Sequence, residues 1–225
     1  MKLVIFDCDG TLVDSQHAIC AAMEHAFRMA QLPIPTRADI LDLVGLSLPQ
    51  TFAVLAAAYP VEIRAALAEH YRSDFPAKRE QAMLHDPLFP GIRDVVTALE
   101  GRDDVLLGIA TGKSKRGVAR LLDREGWQRH FFTIQTADDH PSKPHPSMIV
   151  RAMAESGAEP AATIMVGDTS YDMEMACSAG VRAIGVGWGY HTADRLLQAG
   201  AHAVVNTSAA LLDVIEEHYA ASDKI

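Results

Sequence analysis

Two carboxylates, Asp7 and Asp9, follow directly on the apolar run Leu3-Val4-Ile5-Phe6 and precede Gly10 and Thr11. A short apolar run closed by a turn signal predicts a buried strand of a parallel sheet. Strand side chains alternate, so Asp7 and Asp9 face one way and Cys8 the other. Gly10 lets the backbone turn sharply. Acids at the carboxyl end of such a strand stand where open α/β sheets bind ligands. Two anions held this close repel and need a cation or a shared proton. The same pattern also fits a strand end that is solvated and merely acidic. Three further stretches carry polar residues in comparable places. Thr111 closes the apolar run 105–110, Asp168 follows 163–167 with Asp172 four residues later, and Lys143 sits in the loop Ser142-Lys143-Pro144.

The elements around these residues fall into two kinds. From position 15 to about 86 the pattern is helical only. Ser15 can cap a helix whose apolar face is Ile19, Ala22, Met23, Ala26, Phe27 and Ala30. Thr36 and Asp39 predict a capping box for a short helix through Val44, ended by Gly45. Pro49 opens a third helix through about Ala58, and Val61 to about Ser73 gives a fourth. Beyond the turn-rich Pro87-Leu88-Phe89-Pro90-Gly91, strands expected at 105–110, 131–135, 163–167, 181–186 and 202–205 alternate with helices. That alternation argues a parallel sheet with helices on both faces. The first strand belongs to this sheet although the helical stretch separates it from the rest. The expectation is an α/β chain: a Rossmann-like, doubly wound core over 1–14 and 87–225, interrupted by an all-helical cap over 15–86.

Taken in order, Asp7-Cys8-Asp9-Gly10-Thr11-Leu12-Val13-Asp14-Ser15, Thr111, Lys143-Pro144 and Gly167-Asp168-Thr169-Ser170-Tyr171-Asp172 resemble the four motifs of the haloacid dehalogenase superfamily. The resemblance covers essentially the whole chain and is greatest to the capped phosphoglycolate phosphatase and β-phosphoglucomutase-like branch. It implies a Mg²⁺-dependent phosphatase acting on a small phosphomonoester, phosphoglycolate- or sugar-phosphate-like, through an aspartyl-phosphate. Phosphoryl transfer needs a nucleophile, charge neutralisation and an acid or base. Asp7 can be the nucleophile, and Asp9 can protonate the leaving oxygen and then activate water, as the family assigns. By resemblance the metal ligands are the Asp7 carboxylate, the Asp9 backbone carbonyl and the Asp168 carboxylate, a hard oxygen set suited to Mg²⁺. Asp172 would orient a metal-bound water or Lys143, or would be a first-turn helix Asp favouring the dipole. Thr111 can donate to a phosphate oxygen, Gly112 can bring its N–H close, and Lys143 can neutralise the phosphate and Asp7. The loop Val44-Gly45-Leu46-Ser47 is implied to touch the leaving group, with Gly45 and Ser47 binding substrate. Gly187-Trp188-Gly189-Tyr190 is expected to be a structural turn.

Other readings meet specific obstacles. Thr111-Gly112-Lys113-Ser114 resembles a nucleotide-binding phosphate loop, but the glycine that loop needs at position 107 is Leu. Lys113 then reads as a solvated helix-start residue or an auxiliary phosphate contact. A β-phosphoglucomutase-like phosphotransferase would carry a His twelve residues after the nucleophile, where this chain has Ile19. A non-catalytic phosphate-binding regulatory module gains nothing from clustered charge. A receiver domain is roughly half as long and lacks a helical insert.

The net charge of −9 gives no electrostatic footprint for nucleic acid. No apolar run approaches the roughly 18 residues of a membrane span. The chain opens on a strand, without a secretory leader, so a cytoplasmic protein acting on a small phosphorylated metabolite, monomer or homodimer, is expected. Cys8, Cys20 and Cys177 are expected to be free thiols and small buried apolar residues.

Overall fold

A computed structural model of the chain describes residues 1–74 and 86–222. Of the expected cap, residues 75–85 therefore lie outside the described residues. Six parallel strands form one sheet in the order β3-β2-β1-β4-β5-β6. They are β1 (Lys2–Phe6), β2 (Val105–Thr111), β3 (Thr133–Thr136), β4 (Thr163–Gly167), β5 (Arg182–Val186) and β6 (Ala203–Val205). The chain winds outward from β1 to one edge, then returns to its other side at β4. β1 pairs with both β2 and β4, placing Phe6 beside Ile109 and Val166. The point where strand order reverses is the ligand-binding crevice of such sheets.

Apolar alternation along β1 feeds two cores. Val4, Phe6 and Cys8 pack with α5 (Ile92–Glu100), α6 (Lys115–Glu125) and α10 (Ser208–Ser222). Leu3 and Ile5 pack with α7 (Ser147–Ser156), α8 (Ser170–Ala179) and α9 (Ala193–Gln198). Cys8 faces away from the acids, as strand alternation requires.

Between β1 and α5 the described residues contain α1 (Gln16–Met29), α2 (Arg37–Leu41), α3 (Leu48–Leu55) and α4 (Val61–Asp74). They build a separate apolar cluster from Ile19, Met23, Phe27, Ile40, Phe52 and Leu67. The capping box of Thr36 and Asp39 forms. However, α2 stops at Leu41 rather than Val44, because Leu43 and Val44 are drawn inward in tight turns ahead of Gly45, whose φ is +100°. Likewise α3 stops at Leu55. The chain leaves and re-enters the sheet side by side: Val13 bridges Leu88, Asp14 N–H donates to Pro87 O, and Phe89 N–H donates to Leu12 O. All three cysteines are free, but Cys177 is exposed rather than buried, being near the end of α8. Among the described residues no helix is long and apolar enough to cross a membrane.

Candidate active site

The carboxyl ends of β1, β2 and β3 border a cleft of about 560 Å³, and the end of β4 lies beside β1. Asp7 follows β1 and is fully buried. Its Oδ1 accepts from the Cys8 N–H at 2.7 Å. Its Oδ2 lies 2.9 Å from Lys143 Nζ, yet accepts no aligned hydrogen bond. Burial pushes the carboxyl from 3.8 up to about 6; the Lys143 charge opposes this and the Asp172 charge adds to it.

Lys143, buried in the loop after β3, donates to Asp172 Oδ1 at 2.6 Å. Burial pulls the ammonium down, but Asp172 and Asp7 outweigh it and hold it above its ordinary value. Asp172 contacts Lys143 and also caps a helix. Besides Lys143 it takes Thr169 N–H and Oγ1 on Oδ2, at 3.1 and 2.7 Å, which makes it the capping-box residue of α8.

Asp168 follows β4 and is fully buried. Thr11 Oγ1 donates to Oδ1 at 2.8 Å and Tyr190 N–H donates to Oδ2 at 2.9 Å. Burial, then the charges of Asp172 and Asp7, push its carboxyl well up. Gly10, at φ +88°, lies so close that any Cβ there would collide with the Asp168 carboxylate. The structural turn expected at 187–190 thus also holds Asp168. Trp188 Nε1 secures it further by donating to Thr11 O at 3.1 Å.

Thr111 ends β2, buried, and its Oγ1 accepts from the Lys113 N–H at 3.2 Å. Gly112 also has a steric reason to be glycine. A Cβ there would lie 2.6 Å from Gly45 O and 2.8 Å from Leu46 O, so glycine admits the loop from the helical insert. Ser47 N–H donates to Ser142 Oγ at 2.8 Å, tying the same loop beside Lys143. Gly45, Ser47, Asp9, Thr111 and Gly112 all line the cleft, as does Ile19.

Two sequence expectations are corrected. Ser15 makes no side-chain cap to α1; its Oγ donates instead to Asp9 Oδ1 at 2.5 Å. Lys113 is not solvated; its ammonium donates to the same Asp9 oxygen at 2.5 Å. Thr11, Ser15, Lys113, Ser142 and Tyr190 are thus site residues that spacing alone does not reveal. Thr11 stands inside the first motif, but its partner is 157 positions away.

The arrangement fits a hard divalent cation. Asp7, Asp168 and Asp172 each offer an oxygen within 4.8 Å of the others. Three buried carboxylates against one shared lysine leave negative charge uncompensated, and Asp7 Oδ2 is a buried acceptor without a hydrogen bond.

Comparison with known proteins agrees with this geometry. The sequence model of a family described as haloacid dehalogenase-like hydrolase matches residues 4–186. "Probable phosphatase IndB" of Dickeya dadantii is 40% identical over 91% of this chain and 89% of its own length. Tyrosine-protein kinase PtkA of Mycobacterium tuberculosis is 33% identical over 96% of this chain and 72% of its own. The crystal structure of a "predicted phosphatase" from Clostridium acetobutylicum superposes with a TM-score of 0.85 at 26% identity, over 96% of this chain and 98% of that one.

Proposed function

The chain belongs to the haloacid dehalogenase-like hydrolase family and is a phosphatase, and we propose that it hydrolyses a small phosphomonoester through an aspartyl-phosphate on Asp7. The observation that carries this reading is the state of Asp7. The residue is buried yet lines the cleft, and its Oδ2 lies 2.9 Å from the Lys143 ammonium. That is the condition of a nucleophile positioned before its substrate arrives.

The phosphate would rest between Lys143, the Thr111 hydroxyl and the Gly112 N–H. Lys143 balances charge on Asp7 and on the transferring group. Asp9 protonates the leaving oxygen, then takes a proton from the water that opens the phosphoenzyme. The residues that would hold Mg²⁺ are the Asp7 carboxylate, the Asp9 carbonyl and the Asp168 carboxylate, with Asp172 fixing Lys143 behind them. Bound there, the ion supplies charge neutralisation and polarises the phosphate oxygens. The insert over 15–86 acts as a cap domain on the core of 1–14 and 87–225; Gly45 and Ser47 meet the leaving group. Closing a cap over the site excludes bulk water and selects the alcohol.

Ile19 supports hydrolysis over mutase chemistry, because an apolar side chain on the cleft wall offers no imidazole to hold a bisphosphate. The test is phosphate release from p-nitrophenyl phosphate with and without Mg²⁺, in the wild type and in Asp7→Asn. Metal-dependent release that vanishes in the variant is expected. Retention of that release in Asp7→Asn would refute the assignment.

A further inference from the structure

The cleft has two chemically different walls. One belongs to the core and carries Asp7 and Thr111, which the reading above assigns to the phosphoryl group. The other belongs to the helical insert. Ile19 and Met23, one turn apart on α1, line it together with Ile40 of α2 and with Leu43 and Val44 in the turns that follow. These side chains are at most 8% exposed. Ile19, Met23, Ile40 and Val44 belong to the insert's own apolar cluster, so the residues that hold its helices together also form the cleft wall. Thr51, buried on the same wall, donates its Oγ1 to Ser47 O at 3.2 Å. Ser47 itself is tied to Ser142 beside Lys143, at the phosphate end. The charged lining residues Arg72, Arg116 and Asp138 are exposed, and Arg72 pairs with Glu69 at 2.5 Å.

We propose that the alcohol part of the substrate is apolar, an alkyl or aryl group, rather than the carboxylate or polyol that the sequence resemblance implies. The inference rests on the phosphatase reading of this same site and narrows it. A cleft of about 560 Å³ lies within the roughly 300–1,000 Å³ of small-molecule sites, so it has room for an organic group beside the phosphate. An alkyl group seated against Ile19, Met23 and Ile40 takes apolar surface out of water on both sides of the contact, which is favourable in proportion to the area removed. A hydroxyl or carboxylate seated there gives up its water and finds no hydrogen-bond partner in those side chains, which is unfavourable. The wall therefore selects in both directions, towards hydrocarbon and against a polyol.

The test is a series of esters that share the phosphate and differ in the alcohol. Ethyl, propyl and butyl phosphates expel primary alkoxides of nearly equal basicity, so length alone varies. With Mg²⁺ present, kcat/KM is expected to rise about threefold for each added methylene, or about tenfold from ethyl to butyl. Propyl phosphate is expected to exceed glycerol 3-phosphate at least about tenfold, although glycerol is the better leaving group. In Met23→Gln the butyl-to-ethyl ratio is expected to fall at least about threefold; Ile19→Thr, expected to do the same, serves if Met23→Gln does not fold. A flat series, or glycerol 3-phosphate or phosphoglycolate ahead of propyl phosphate, would overturn the inference and leave the phosphatase reading standing. A ratio unchanged in the folded variant would overturn it equally, because the preference would then not come from this wall. Failure of the phosphatase reading shows separately, as absence of Mg²⁺-dependent release from every ester, p-nitrophenyl phosphate included, and it overturns both.

Discussion

Asp7→Asn should make the metal-free protein more stable while abolishing turnover. The folded protein holds the Asp7 carboxyl at about 6, against 3.8 for the ordinary group, chiefly through burial. The folded state therefore binds this proton more tightly than the unfolded chain does. Its contribution is complete below about pH 3.8 and is lost as pH rises through 6. At neutral pH the buried anion costs about 3 kcal/mol. Asparagine removes the charge, keeps the shape, and leaves Lys143 its partner Asp172 at 2.6 Å. The assay is urea unfolding in EDTA at several pH values. At pH 7.5 the variant should be more stable by about 3 kcal/mol, or roughly 6–12 °C in melting temperature for a chain of this size. The gap should fall by about half near pH 5. Saturating Mg²⁺ should stabilise the wild type much more than the variant. A variant less stable than the wild type at pH 7.5, or a gap that widens on acidification, would refute the reasoning.

Four other outcomes are expected. Asp9→Asn keeps its backbone carbonyl, so Mg²⁺ affinity measured by calorimetry should persist while turnover falls roughly 100- to 10,000-fold. Asp168→Asn removes a buried charge while keeping Thr11 and Tyr190 as neighbours, so a Mg²⁺ titration of activity should require at least about tenfold more metal. Lys143→Met leaves Asp7 and Asp172 facing each other without their cation; unfolding in EDTA at pH 7.5 should show a loss of about 3–5 kcal/mol, smaller at pH 5. With β-glucose 1-phosphate, Mg²⁺ and a bisphosphate activator, inorganic phosphate should accumulate ahead of glucose 6-phosphate, followed by coupled assays of both products.

The sheet was legible because β1, β2 and β4 are short apolar runs ending at a polar residue, and those endings all fall at one edge of a parallel sheet. Asp7, Thr111 and Asp168 needed no three-dimensional knowledge to be placed together; parallel strands share one carboxyl end. What escaped the sequence depends on partners, not on patterns. A serine before a helix reads as a cap, yet Ser15 turns to Asp9. A lysine at a helix start reads as solvated, yet Lys113 turns inward over Gly117. The close approach of Gly112 to the carbonyls of Gly45 and Leu46, 67 and 66 positions earlier, leaves no mark in the local sequence. The end of α2 was misplaced because Leu43 and Val44 satisfy a helical face while packing from turns.

The paired crossing at Val13 and Leu88 has a consequence for how such a chain can change. The insert leaves and re-enters the sheet side by side at this bridge, and it meets the core again at Ser15, Asp42 and the Gly45–Ser47 loop. Closing a flexible loop costs only about 0.6 kcal/mol more each time its length doubles. Helices away from Ser15 and the Gly45–Ser47 loop can be lengthened, shortened or replaced there with little penalty to strand register. Mutation can therefore rework the far side of the insert with little effect on the sheet, which makes the neck between them a natural boundary for recombination.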